Sequence, residues 1–501
     1  MFRAIAAAAL IATPAVAYAQ AQPAPAASTG IAAVEPKIKA AFEAWMQRAH
    51  VPGMVYGVVK DGRLVAVRGL GIQDTQSKRP VNADSRFRIA SMSKAFTALA
   101  ILKLRDEGKL SLDAPAETYV PEMKGWRYPT ADSRRVRVAD LLHHIAGYVE
   151  DNPWGDRQQS LPETDFTAML KAGVAFAQPP GTRMEYSNLG YATLGRIVAN
   201  VSGVPYQEYI RREIMAPLGM ASTGYDIAAG SQERRAIGYR WQDEAWVREP
   251  DMADGAFGAM GGVETTANDY ARWVAFLLSA WPARDGPDTG PVKRATVREI
   301  VEGANFVTLM ERPSASGAPC RMPTAYAMGW FIVEECDLGQ VVTHSGGYPG
   351  YGSLVMLLPE AGVGVFAFAS RTYAGPRPVP EALLMLKQAG LATARALPVS
   401  AELAQAYTAA KEVWRTGDPS RAPLAVNVPL DRDLARRRKE IAEAKAKLGT
   451  CDTAAAITPV SALEGTFRWT CANGAATGRV QRAPTPGGEL QVIDFAVAPA
   501  G

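Results

Sequence analysis

Ser91 and Lys94 stand three positions apart in Ser91-Met92-Ser93-Lys94, pairing a hydroxyl with an amine. A serine hydroxyl is a poor nucleophile at neutral pH until a neighbour takes its proton. Residues three apart share one face of a helix, so the Lys94 amine can sit beside the Ser91 oxygen. Burial lowers the pKa of a lysine and makes the neutral amine available as a base. Two further runs supply the rest of an acyl-transfer site. Tyr186-Ser187-Asn188 offers a phenol able to move protons, and His344-Ser345-Gly346-Gly347 offers a small-residue strand whose backbone can lie against a substrate. The chemistry is acyl transfer through a serine ester, with no Ser-His-Asp triad, no metal and no cofactor. A Ser-x-x-Lys alone arises by chance in a long chain, so the weight rests on the three runs together.

The runs and the text around them resemble the serine β-lactamase and penicillin-binding-protein superfamily. The likeness is to its class C β-lactamase, D-aminopeptidase and esterase branch, which has Tyr-x-Asn as its middle motif. Further phrases carry it: Phe87-Arg88-Ile89-Ala90, Val138-Ala139-Asp140-Leu141-Leu142-His143-His144, and Pro180-Gly181. So do Pro217-Leu218-Gly219-Met220, Gly261-Gly262-Val263 with Thr265-Thr266-Ala267, and Met328-Gly329-Trp330. The resemblance implies Ser91 as nucleophile, Lys94 and Tyr186 sharing general-base and general-acid work, and Asn188 holding substrate and Lys94. Asn188, His344, Gly346 and Gly347 are the implied substrate-binding residues. Backbone N–H groups of Ser91 and Gly347 would form the oxyanion hole, such donors each contributing a few kcal/mol. The implied fold is α/β (α+β): a β-lactamase-like antiparallel sheet flanked by helices, with a helical subdomain and a small C-terminal appendage.

One departure stands out. β-Lactamases and transpeptidases of the superfamily carry lysine at the start of the third motif, and this chain has His344. Lysine is a fixed cation that attracts a substrate carboxylate, whereas histidine near its reference pKa is mostly neutral at pH 7. The pull on an anionic β-lactam or a D-Ala-D-Ala terminus is expected to be weaker. The plainer alternative is that His344 ends a strand, hydrogen-bonded and inert. Arg371 could supply a replacement cation, or be a solvated loop residue.

Among the elements that hold these residues, Ala95-Phe96-Thr97-Ala98-Leu99-Ala100-Ile101-Leu102 predicts a buried helix opened by Ser91 and ended near Gly108. At its N-terminus the free N–H groups and the dipole favour developing negative charge. Val34, Ile38, Phe42 and Trp45 recur at helical spacing and predict an amphipathic first helix. Asp61-Gly62 between Val55–Lys60 and Arg63–Val67 is a hairpin signal. Residues 100–300 read as helices broken by Pro/Gly loops. Val341–His344, Leu354–Leu358 and Val363–Ala369 predict an antiparallel meander with His344 at a strand end, followed by a helix over Pro380–Gln388. Residues 31–395 are the expected catalytic domain, 396–450 a helical segment and 451–501 a small β-rich appendage.

The start of the chain, Met1-Phe2-Arg3 followed by an alanine-rich apolar run and Ala17-Tyr18-Ala19, reads as a signal peptide over residues 1–19. A Pro/Ala-rich linker is expected over residues 20–30. The expected location is the periplasm or exterior of a bacterium, with no transmembrane segment. The net charge of +4, set by 54 basic and 50 acidic residues, leaves no nucleic-acid footprint. The partner expected is a small-molecule or peptide substrate, and the sequence leaves the oligomeric state open. Four cysteines allow three pairings; sequence proximity favours Cys320–Cys336 and Cys451–Cys471. A zinc site lacks any Cys-x-x-Cys. His143-His144 and His50 are read as structural, and no Gly-x-Ser-x-Gly is present. The functions in view are a secreted serine hydrolase acting on ester, amide or D-amino-acid-containing substrates; a β-lactamase or DD-peptidase; and a non-catalytic peptidoglycan-binding or scaffold protein.

Overall fold

The computed structural model describes residues 29–499 apart from 153, 228–230 and 304. The expected signal peptide and residues 20–28 of the expected linker lie outside the described residues. The first helix, α1 (Thr29–Arg48), takes in the last two linker positions, because Ile31 is already anchored in the core at 3% exposure.

The architecture is built around one eight-stranded antiparallel sheet. Its strands are β1 (Gly53–Lys60), β2 (Arg63–Gly71), β3 (Asn305–Pro313), β4 (Pro319–Tyr326), β5 (Phe331–Glu335), β6 (Gly339–Tyr348), β7 (Tyr351–Leu358) and β8 (Val363–Ala369). They are ordered β2-β1-β8-β7-β6-β5-β4-β3. β1 and β2 form the expected hairpin about Asp61-Gly62, both with positive φ (49° and 77°), the conformation a tight two-residue turn needs. The β6–β7–β8 meander is present, but β6 runs four residues beyond His344 to Tyr348. Glycines pack little surface and hide a strand from pattern reading, so the sequence truncates it at His344.

Helices cover both faces of the sheet. Alternation along β1 sends Val55 and Val59 to one side, Met54, Tyr56 and Val58 to the other. The second side packs on α1 through Ile38, Phe42 and Trp45 and on the C-terminal helix of this region, Pro378–Gln388, through Val379, Leu383 and Leu386. Phe42 stacks on Tyr56 with ring centroids 4.3 Å apart. The first side carries the larger core. There α2 (Lys94–Asp106), α3 (Asn188–Ser202) and α4 (Ala267–Leu278) gather with the loops between them. The strands of the sheet centre are buried on both faces, and every residue of β8 is buried.

Residues 401–498 form a third packed unit with its own core. Helices Ala401–Thr416 and Leu434–Leu448 lie against a small antiparallel sheet that includes Glu464–Cys471, Gly474–Arg482 and Leu490–Ala498. Tyr407, Trp414, Phe467 and Trp469 fill its interior. Both disulfides, Cys320–Cys336 and Cys451–Cys471, are formed. The first links β4 to the turn after β5; the second ties two paired strands of the appendage. Each closes a short loop and is worth roughly 3 kcal/mol in the chain-entropy account. Among the described residues, no helix is long and apolar enough to cross a membrane.

Candidate active site

Ser91 lies in a tight turn, Ala90–Ser93, that leads directly into α2, rather than opening the α-helix itself. The turn is bent by Ala90, which holds φ at +49°. A side chain with a Cβ resists that conformation, so the surroundings must hold it there. They do so from three sides. Ser353 of β7 donates to the Ile89 carbonyl at 2.7 Å. The Ser93 hydroxyl accepts from the Val263 N–H at 3.0 Å, and Thr97 donates to the Ala259 carbonyl at 2.6 Å. Gly346 of β6 packs against the same turn; a Cβ on it would lie 2.3 Å from the Ile89 oxygen. Glycine there is a requirement of close approach.

Lys94 begins α2 and is fully buried. Its Nζ donates to Ser91 Oγ at 3.1 Å, Asn188 Oδ1 at 2.7 Å and the Met260 carbonyl at 3.0 Å. Desolvation pulls its pKa down to about 7, opposed by the nearby carboxylates of Asp156 and Asp151. A lysine so placed exchanges its proton in the range where enzymes work.

Tyr186 lies over this pair, the ammonium 4.9 Å from its ring centroid. Burial pushes its phenol well above the usual value, with a hydrogen bond to Ser91 acting the other way. The phenol therefore keeps its proton and is a donor. Two residues on, Asn188 opens α3, whose N-cap is Ser187. Asp151 closes the same helix start: its carboxylate accepts the Asn188 and Leu189 N–H groups, both at 2.8 Å. Asn188 Nδ2 donates to Asn152 Oδ1, which fixes the amide so that Oδ1 faces Lys94.

His344 is 2% exposed and packed among Tyr186, Tyr326 and Phe331, with ring centroids 6.4, 6.1 and 5.4 Å away. Its Nδ1 lies 2.6 Å from the Ser345 carbonyl, so Nδ1 carries the proton; Nε2 faces the Tyr326 hydroxyl at 3.4 Å. Desolvation, reinforced by Lys94, drives its pKa down to about 3. It is a neutral hydrogen-bonding group, not a cation. Gly347, one step past Gly346, lies under the ring of Tyr373. Arg371 does not fill the gap. It is half-buried and donates to the Ala49 carbonyl at 2.7 Å, one of the carbonyls left free where α1 ends.

The structure thus brings Ser91, Lys94, Tyr186, Asn188, His344 and Gly346 together, with Gly347 beside them on the same strand. It adds residues the sequence reading passes over. Asp151, Asn152 and Asp156 come from one loop; Asp156 is buried, its pKa pushed up to about 6 by desolvation, and Tyr373 donates to it at 3.2 Å. The only signal in sequence is the crowding of Asp, Asn and Gly in Asp151–Asp156, which reads as an ordinary turn. The Met260 carbonyl leaves no mark in sequence at all. Volume is no guide either: a groove of about 1240 Å³ runs along α1, β2 and α4, lined by Ile31, Leu64, Arg68 and Arg272, and no site residue borders it. Among the described residues no group of acidic, cysteine and histidine side chains could hold a metal ion.

Several known proteins resemble this chain in sequence or in fold. Protein flp of Staphylococcus aureus (strain COL) is 29% identical over 329 residues, 65% of this chain and 61% of that protein, so the chain spans less than two thirds of that relative's length. The octameric penicillin-binding protein homologue from Pyrococcus abyssi superposes with a TM-score of 0.60 at 23% identity, over 90% of this chain and 92% of that one. The class C beta-lactamase from Rhodobacter sphaeroides gives 0.54 at 23% identity, over 70% and 98%. At such identities the superpositions speak for the fold: a helix-flanked antiparallel sheet. The sequence model of the Beta-lactamase family matches residues 38–390, a span that holds all three runs and most of the chain. On that match the chain belongs to the Beta-lactamase family.

Proposed function

We propose that the protein is an exported hydrolase that cleaves ester, amide or D-amino-acid-containing substrates through a Ser91 acyl-enzyme. One observation carries the reading: a fully buried lysine, its pKa pulled to about 7, with Nζ 3.1 Å from the serine oxygen. Neutral Lys94 takes the Ser91 proton as Oγ attacks the carbonyl carbon. The oxyanion that forms is met by the backbone N–H groups of Ser91 and Gly347. Tyr186, which holds its proton, delivers it to the leaving oxygen or nitrogen, and the bond to the leaving group breaks. Water then attacks the acyl-enzyme by the reverse sequence of proton movements. Asn188 keeps Lys94 aligned and offers its amide edge to substrate.

Neutral His344 supports uncharged or weakly anionic substrates over β-lactams, since no fixed cation stands where the third motif begins. Two disulfides accord with an oxidising compartment and therefore with export. The test is turnover by the purified protein of short-chain p-nitrophenyl esters, D-alanyl amides and nitrocefin, each beside Ser91→Ala. Ester or amide hydrolysis outpacing nitrocefin, and lost in Ser91→Ala, is the expected result. Nitrocefin as the best substrate would favour the β-lactamase reading. No turnover and no labelling of Ser91 by a fluorophosphonate would favour a scaffold.

A further inference from the structure

His144 is 2% exposed, sits beside the site and has no part in the reaction just described. We propose that His144 is the positioning residue for Tyr186, clasping the backbone on both sides of it so that the phenol stays at the Ser91–Lys94 pair. The inference rests on the reading of Tyr186 as the proton donor to the leaving group.

The clasp has two jaws from one residue. The His144 carbonyl accepts the Glu185 N–H at 2.7 Å, and its Nδ1 accepts the Ser187 N–H at 3.1 Å. Glu185 and Ser187 flank Tyr186, so the Tyr186–Ser187 peptide group and the Met184–Glu185 group one residue further back are both held by His144. The imidazole then lies against the phenol ring, centroids 4.3 Å apart and planes 36° apart. To make both contacts His144 adopts φ +55°, a left-handed conformation that histidine, asparagine and aspartate tolerate better than other side chains. The same Ser187 N–H belongs to the residue that caps α3, one step before the Lys94-binding Asn188. One histidine thereby sets the position of the acid and the start of the helix that aligns the base.

The tautomer follows from the partner. Nδ1 accepts a hydrogen bond, so its lone pair is occupied and the proton is on Nε2, which is buried and finds no partner among the described residues. Protonating Nδ1 would set two N–H groups against each other. Burial of the ring is the main cause that disfavours the imidazolium, with the facing groups Lys94, His344 and His143 acting in the same direction and Tyr186, Tyr191 and Tyr326 packed on it. A ring that stays neutral and keeps its proton acts through Tyr186 rather than on substrate.

Two substitutions in the full chain separate this role from simple core filling. His144→Asn keeps an acceptor at the place of Nδ1 and tolerates the left-handed backbone. His144→Phe keeps ring and volume but has no acceptor. Positioning predicts that the Asn variant holds kcat within about threefold, whereas the Phe variant loses roughly 100-fold in kcat with KM within about threefold, the size of effect a displacement near 1 Å produces. Core filling predicts the reverse order, and that order, or equal losses, overturns the proposal. A measurement free of catalysis stands beside these. With only four histidines in the chain, ¹⁵N imidazole spectra of the wild type should show His144 as the Nε2–H tautomer, unchanged between pH 5 and 8. A titrating ring, or an Nδ1–H tautomer, overturns it. Ser91→Ala and Tyr186→Phe distinguish the two levels: full activity in either sinks the functional reading, whereas their loss with an active His144→Phe sinks the clasp alone.

Discussion

Lys94 on α2 and His344 on β6 are two nitrogen bases buried in one site, and the same effect of burial has opposite consequences for them. Both lose water, and in both the neutral form gains. For Lys94 the shift runs from 10.5 to about 7, into the range of ordinary biological pH. For His344 it runs from 6.5 to about 3, out of that range. The lysine takes on the titration behaviour usually associated with histidine, and the histidine becomes a fixed polar group. Residue type alone therefore misassigns the acid–base work. The depth of the pocket and the charges in it decide.

The largest test of this contrast removes the pair on the α2 side. Ser91→Ala should cut turnover by about 10⁴-fold or more, and Lys94→Met by about 10³-fold, measured as kcat/KM on the best ester. Comparable turnover in Lys94→Met would mean that the amine is not the base, and the contrast would lose its point. A second, smaller effect comes from charge. His344→Lys places a cation near Lys94 and should raise the ratio of nitrocefin to neutral-ester hydrolysis about tenfold, equivalent to about 1.4 kcal/mol. It should also move the acid limb of the ester profile to lower pH, because a second cation further disfavours protonated Lys94.

In the wild type that limb should lie near pH 7, kcat/KM rising as Lys94 loses its proton. A limb governed by His344 would lie near 3 and leave activity flat across neutrality. Linkage gives an independent check. The folded pKa of Lys94 lies below its unfolded value, so the unfolded chain binds more protons between about pH 7 and 10.4, and the Lys94 contribution to stability improves as pH rises through that window. The difference in Tm, Lys94→Met minus wild type, should therefore be more positive at pH 6 than at pH 9. The smallest effect is expected from His344→Gln, which keeps a neutral hydrogen-bonding side chain and should hold ester kcat/KM within about fivefold. Loss of activity approaching that of Lys94→Met would show that His344 carries protons after all.

The sequence makes the α2 side far more legible than the rest. Ser91 and Lys94 are linked by helical spacing, and the β1–β2 hairpin by Asp61-Gly62, because both are local patterns. Cys320–Cys336 and Cys451–Cys471 are favoured by nearness along the chain, which by itself leaves the other two pairings open. The surroundings that tune Lys94 are not local. Asn188 reaches it across 94 positions and the Met260 carbonyl across 166. No periodicity encodes either contact. The strand beyond His344 is obscured by its own glycines, and Arg371 has its charge directed to a helix end that only the folded chain brings near. His144 reads as structural from its sequence, but nothing local shows that the amides it holds are those of Glu185 and Ser187, more than 40 positions away.

The three partners of the Lys94 amine also make a counting argument. An ammonium has three N–H bonds, enough for Ser91, Asn188 and Met260 at once. A neutral amine has two N–H bonds and one lone pair. Asn188 Oδ1 and the Met260 carbonyl can only accept, so each needs one of those two hydrogens. The lone pair is left facing Ser91 Oγ, the one partner with a proton to give. Stoichiometry of donors and acceptors thus aims the base: in the proposed acylation, deprotonated Lys94 has one low-cost orientation, and it is the reactive one.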